Sequence, residues 1–157
     1  MKLLKVLAVI TLYFSITSFK PAVKPTEDLK WMSWNNGYEL AKKKNKIALI
    51  DCYTDWCGWC KVMDKKTYSD ANVQRKIYAN FIPIKLNPEL GETYTYQGKQ
   101  YNGAQLLALL TNNTLSGYPT IIFIIPSGKT NIIELSVGYS DAAQFSAILD
   151  QKLALKK

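Results

Sequence analysis

Histidine is missing from all 157 residues. That absence excludes a Ser–His or Cys–His catalytic pair, a His-ligated zinc and a His-ligated haem. Long apolar runs are scarce: only one exists, near the N-terminus, which excludes a multi-span membrane protein. Charge is modest, with 20% charged residues against 48% hydrophobic, so the chain is neither disordered nor collagen-like and has apolar material for a core. Its length is that of one ordinary domain. Whatever chemistry it performs falls to cysteine, carboxylate, lysine, hydroxyl or backbone.

The apolar run has the character of an address. Lys2 and Lys5 make a positive start, and Val6 to Ile16 reads VLAVITLYFSI. This falls short of the roughly 20 residues of a membrane span and fits a secretory signal. Ser15, Thr17 and Ser18 offer cleavage positions, although no A-x-A is present, and no cysteine follows to support a lipoprotein anchor. An uncleaved anchor and a strand of the domain are the alternatives; the strand would leave Lys5 awkwardly placed. We therefore expect a signal over 1–18, a linker over 19–32 containing Pro21 and Pro25, and one domain over 33–157. Loss of Lys2 and Lys5 with the signal takes the formal charge from +8 to +6. The cluster Lys42, Lys43, Lys44 and Lys46 lacks interleaved aromatics. It reads as a solvated helix end with at most weak attraction to an anionic membrane surface, not as a nucleic-acid site.

Helix and strand patterns then alternate. Trp34–Lys44 carries Trp34, Tyr38 and Ala41 on one helical face. Ile47–Tyr53 is a buried strand. Helices follow at Gly58–Lys66 and Asp70–Ala79, and a strand at Phe81–Leu86, where Pro83 hints at an edge or a bulge. Gly103–Leu110 is helical. Thr120–Ile125 and Asn131–Val137 form a hairpin about a turn at Pro126–Lys129. Asp141–Leu153 is a closing helix with Phe145, Ile148, Leu149 and Leu153 on one face. The order implies an α/β fold with a mixed sheet, flanking helices and parallel strands in its first half. The segment 87–102, with Tyr94, Tyr96 and Tyr101 about Gln97-Gly98, suggests a small hairpin or ordered loop. We expect a surface insertion with solvated tyrosines in preference to a functional loop.

Three cysteines make one pair and one remainder. Cys57 and Cys60 stand three apart in C-G-W-C, directly after the first strand. A bridge there closes a tiny loop and adds little stability in the chain-entropy account, so the spacing points to reactivity. At a helix start, one turn brings the two sulfurs together. The first sulfur then meets unpaired N–H groups and the positive end of the helix dipole, a setting that lowers a thiol pKa from roughly 8.5 into a range of about 3.5–7.5. Cys57 is thus the expected attacking thiolate and Cys60 the more buried resolving thiol. A zinc half-site lacks a second C-x-x-C or any histidine. Haem attachment fails because Lys61 follows Cys60. Cys52 points to the opposite face from Asp51 by strand alternation and reads as buried and inert.

The segment Asp51-Cys52-Tyr53-Thr54-Asp55-Trp56-Cys57-Gly58-Trp59-Cys60-Lys61 resembles the active-site segment of the thioredoxin superfamily. So do Lys85-Leu86-Asn87 at the end of the second strand, Gly117-Tyr118-Pro119-Thr120 before the third and Gly138 after the fourth. The likeness covers roughly residues 34–153, and Lys61-Val62-Met63-Asp64 makes the secreted members look most similar. It implies a thioredoxin fold and an exported, periplasmic thiol–disulfide oxidoreductase, with no cofactor and no metal. It also implies protein disulfide or dithiol substrates, a redox partner protein that is membrane-bound, and a monomeric state. Pro119 would be a cis-proline that presents the backbone of Tyr118 to an extended substrate. Asp51 would be a buried acid relaying a proton for Cys60, tuned by Lys85. Trp56, Gly58 and Trp59 would border the substrate. The Gly-Trp dipeptide differs from the Gly-Pro of cytosolic reductants and the Gly-His of isomerases. A binding or chaperone-like module whose cysteine pair is not turned over is the alternative, and copper(I) handling is a weaker one.

Overall fold

Each apolar stretch buries the face that its period predicts. In a computed structural model describing residues 28–128 and 130–156, α1 (Trp34–Lys44) buries Trp34, Gly37, Tyr38 and Ala41. Its last turn is basic, which suits the negative end of the helix dipole. Asn45 then ends the helix in the left-handed region, at φ 48°.

Strand β1 (Ile47–Cys52) is buried along its whole length. It pairs in parallel with β2 (Phe81–Leu86), reached through α2 (Gly58–Lys66) and α3 (Ala71–Asn80). On its other side it pairs antiparallel with β5 (Thr120–Ser127), which pairs antiparallel with β6 (Thr130–Val137). The sheet order is β2-β1-β5-β6. Strand alternation splits the core into two layers. Ala48, Ile50, Cys52, Ile122 and Ile124 face Trp34, Tyr38 and the buried leucines of α4 (Gly103–Leu110). Ile47, Leu49, Ile121, Phe123 and Ile125 face Met63, Val73, Ile77, Phe145 and Leu149, from α2, α3 and α5 (Ala142–Ala154). Each fully buried aliphatic side chain contributes about 1.5–3 kcal/mol.

Three expectations need correction. Strand β5 runs on through Pro126 and Ser127, so the turn begins only at Gly128. Tyr94 and Tyr96 of the 87–102 segment are not solvated, and Tyr101 is half-buried. Strands β3 (Tyr94–Tyr96) and β4 (Lys99–Tyr101) form a hairpin with Gln97 and Gly98 both at positive φ, as a tight two-residue turn requires. Tyr94 and Tyr96 are buried, and Tyr96 meets Trp34 edge-on and lies tilted against Tyr38. The carbonyl of Thr95 accepts from Trp34 Nε1 at 2.9 Å. Finally, residues 28–32, assigned above to the linker, lie on the domain. Leu29 is buried, and Met32 exchanges two backbone hydrogen bonds with the outer edge of β2, at Pro83 O and Lys85 N. That register explains how Pro83 is tolerated: its nitrogen points outward, away from the ladder with β1. The signal at 1–18 and the linker up to residue 27 lie outside the described residues.

Candidate active site

The site forms where β1 ends. Tyr53 N donates to Leu86 O, and Cys57 N donates to Thr54 O at 3.1 Å, turning the chain into α2. Cys57 is the N-cap of that helix, and its sulfur accepts from the Cys60 backbone N–H at 3.1 Å. Cys57 and Cys60 are joined in a disulfide with their Cα atoms 5.3 Å apart. In this form both are nearly covered, at 4% and 3% exposure, so the pair is not divided into one exposed and one buried residue.

The flanking tryptophans are open to solvent, Trp56 at 68% and Trp59 at 61%. Trp56 meets Tyr118 edge-on at 5.8 Å, and its Nε1 donates to Glu89 at 3.1 Å. Trp59 leans on Tyr139 at 5.3 Å. Gly58 between the cysteines is exposed, with nothing within 4 Å of where a Cβ would stand. The Tyr118–Pro119 bond is cis. Thr120 is the register partner of Cys52, which brings Tyr118 and Pro119 beside the chain leaving β1. The Pro119 carbonyl accepts from Gly138 N at 2.8 Å. The backbone N–H and carbonyl of Tyr118 make no hydrogen bond among the described residues.

At the end of β1 lies a charged group that runs from a buried carboxylate to an open one. The register of β1 and β2 sets Asp51 opposite Lys85 on one sheet face, the face over which α2 lays Met63. Lys85 Nζ stands 2.5 Å from Asp51 Oδ2 and 2.7 Å from Asp64 Oδ1. Asp51 is buried and Asp64 is 43% exposed. Burial pushes the Asp51 carboxyl up, and Lys85 only partly opposes it. Burial by itself would lower Lys85, but Asp51 and Asp64 outweigh it and hold the ammonium above its ordinary value. Trp31, Tyr53 and Tyr68 surround that ammonium at 4.7, 4.9 and 5.7 Å. Tyr68 is within electrostatic reach of Asp51, yet its hydroxyl and Asp51 Oδ1 are both buried without a hydrogen-bond partner. A cleft of about 460 Å³, lined by Trp31, Asp64, Tyr68 and Lys85, opens outside this group.

Cys52 is buried on the opposite face, and burial drives its thiol well above the ordinary value, with the Asp51 charge adding to it. Among the described residues, no group of three or more Cys, Asp or Glu is placed to hold a metal ion.

Sequence reasoning placed Asp51, Lys85, Trp56, Tyr118 and Pro119 around the cysteines. It missed Glu89, Tyr139 and Trp31, and gave Asp64 no role. The spacing of Asp64, four residues after Cys60 on α2, was the available signal.

The thioredoxin-like domain family matches residues 34–153, and the chain belongs to that family. The thiol:disulfide interchange protein DsbD of Salmonella typhimurium is 36% identical over 114 residues, which is 72% of this chain and 18% of that protein. The chain therefore spans under a fifth of the curated relatives it matches. A thioredoxin from Thermus thermophilus superposes with a TM-score of 0.63 at 22% identity, covering 82% of this chain and 89% of its own. A thioredoxin-fold protein from Helicobacter pylori gives 0.55 at 18%, covering 88% and 86%. These structures share the fold. Within that domain the two cysteines form a C-x-x-C disulfide. Among the described residues, no helix is long and apolar enough to cross a membrane.

Proposed function

We propose that this protein is an exported oxidoreductase that exchanges disulfides with polypeptide partners through Cys57 and Cys60. The observation that carries this reading is the Cys57–Cys60 disulfide at the N-terminus of α2, between two exposed tryptophans. In the dithiol form, the Cys57 thiolate attacks a partner disulfide. A Cys57–partner bond forms and one partner thiolate leaves. Cys60 then gives its proton to Asp51 and attacks the Cys57 sulfur. The internal disulfide forms, and the partner leaves with both electrons as two thiols. The reverse sequence oxidises a partner dithiol.

Several features support these roles. The helix terminus stabilises a thiolate at Cys57. Asp51, buried with a raised pKa, suits a proton acceptor that must also release its proton. Lys85 tunes that carboxyl. The free backbone groups of Tyr118, with Pro119 fixing the turn, offer an extended substrate a strand edge to pair with. Trp56, Gly58 and Trp59 border the sulfur. The positive start at Lys2 and Lys5 and the apolar run to Ile16 support export to a periplasm, and the protein acts as a monomer with a membrane-bound redox partner.

The Cys60→Ala variant tests this reading, because it stalls exchange after the first step. Mixed disulfides through Cys57 should accumulate with periplasmic proteins and dissolve on reduction. Their absence, together with a disulfide potential below about −300 mV, would instead mark a binding module with a structural bridge.

A further inference from the structure

Tyr68 is a phenol sealed in the core whose hydroxyl makes no hydrogen bond. Among the described residues, Asp51 Oδ1, Thr54 Oγ1 and Tyr68 OH are the buried side-chain atoms without a hydrogen-bond partner. Two of these belong to side chains that act on each other, Asp51 and Tyr68. We infer that Tyr68 is a positioning residue of the proton step: its hydroxyl is the reversible hydrogen-bond partner of Asp51 Oδ1, the oxygen that takes the proton of Cys60. This rests on the exchange function proposed above. It goes further by assigning the proton to one oxygen and naming the group that holds it there.

The two oxygens of Asp51 are not equivalent. Lys85 Nζ lies 2.5 Å from Oδ2. An ammonium has three donors and no acceptor, so it holds Oδ2 as the oxygen without a proton in either charge state. Oδ1 has no such partner, and the proton goes there. The group that faces Oδ1 must donate to it when the carboxyl is ionised and accept from it when the carboxyl is protonated. A hydroxyl does both; an ammonium or a backbone N–H does not.

The fold presents that hydroxyl on a ring held from both sides. Tyr68 N donates to Met63 O at 3.0 Å, and Tyr68 O accepts from Gln74 Nε2 at 2.9 Å. The ring meets Trp31 edge-on at 4.8 Å and Phe145 edge-on at 5.4 Å. The ammonium that bonds Asp51 lies 5.7 Å from the ring centre. Burial holds the phenol well above its ordinary pKa, so the hydroxyl keeps its own hydrogen and only turns it. In the dithiol form it donates to Oδ1. Once Cys60 S–H has given its proton to Oδ1, the hydroxyl oxygen accepts from the new O–H, and Tyr68 has neither gained nor lost a proton. In the disulfide form, where Cys60 has no proton to give, the two oxygens stand unbonded.

The other titratable groups that bear on Asp51 are Lys85 of β2, Asp64 of α2 and the adjacent Cys52 of β1. Ile121 of β5, opposite Asp51, and Phe145 of α5, against Tyr68, carry no charge.

The test is an infrared titration of the fully reduced protein. The stretch of the protonated Asp51 carboxyl is assigned by its loss in Asp51→Asn, and it fades as pH rises through the midpoint of that carboxyl. Tyr68→Phe keeps the ring and removes the donor to the ionised form. The midpoint should therefore rise by about half a pH unit or more, and the acid limb of the exchange rate should rise with it. 3,5-Difluorotyrosine at position 68 alone is a stronger donor of nearly the same size. It should move the midpoint and the limb the other way, which a packing role would not do. A wild type that reduces no hydroxyethyl disulfide would count against the proposed function, while the midpoints would still decide the part of Tyr68. A midpoint unmoved by both changes, or moved in the same direction by both, would overturn the inference.

Discussion

Lys85 joins a carboxylate that solvent does not reach, Asp51, to one that it does, Asp64, through contacts of 2.5 and 2.7 Å. The strand register makes the first contact by setting Asp51 and Lys85 side by side. Helix α2 makes the second. The Asp51–Lys85–Asp64 chain thus runs from the buried end of β1 to the edge of a cleft.

The Asp51 carboxyl binds its proton more tightly in the folded chain than in the unfolded one, because burial raises its pKa. The folded state therefore loses stability as pH rises from the ordinary carboxyl value to the raised one, about 1.4 kcal/mol for each unit of the difference. Asp51→Asn should remove this dependence. Urea unfolding at a series of pH values should show the variant gaining on the wild type through that window, then a constant gap above it. The resolving step at Cys60 should slow.

Lys85 lowers the Asp51 carboxyl from where burial alone would put it. Lys85→Met should therefore raise that carboxyl further. The acid limb of the pH–rate profile for exchange should move to higher pH, since Asp51 must be ionised to accept a proton. Lys85→Arg should restore most of the profile. An unmoved limb in Lys85→Met would remove Asp51 from the proton step.

Gly103→Ala places a methyl 2.2 Å from Pro88 O and 2.5 Å from Pro88 Cα. The clash is with backbone, which cannot swing aside, so a loss of about 1–3 kcal/mol is expected in urea unfolding. Gly58→Ala meets no atom, and its stability should stay within about 0.5 kcal/mol of the wild type.

Cys52 is sealed in the core with its thiol pushed up. In the reduced native protein it should resist alkylation through pH 9, where an ordinary thiol of pKa about 8.5 is mostly ionised. It should react at once in denaturant. Mass mapping of the labelled cysteines measures this.

The sheet and helices were legible because their signals are local. Trp34–Lys44, Gly58–Lys66 and Phe81–Leu86 have the predicted bounds. Asp51 and Lys85 were legible as a pair through the family's motifs. Other parts depended on contacts made only in the folded chain. Leu29 to Met32 is too short to show a period and follows two prolines, yet its backbone pairs with β2 and its Trp31 covers Lys85. Tyr94 and Tyr96 alternate with polar residues as solvated tyrosines would; their burial comes from the aromatic face of α1, about 60 residues earlier in the chain. Glu89 reads as a loop acid until its bond to Trp56 is seen.

The central claim is that Cys57 is the sulfur that meets the partner. Reduction of an insulin-type disulfide by the prereduced protein, with Cys57→Ser assayed alongside, tests it most directly. Wild type should turn the substrate over and Cys57→Ser should be inactive. Activity in Cys57→Ser equal to that of the wild type, or none in either, would contradict the account.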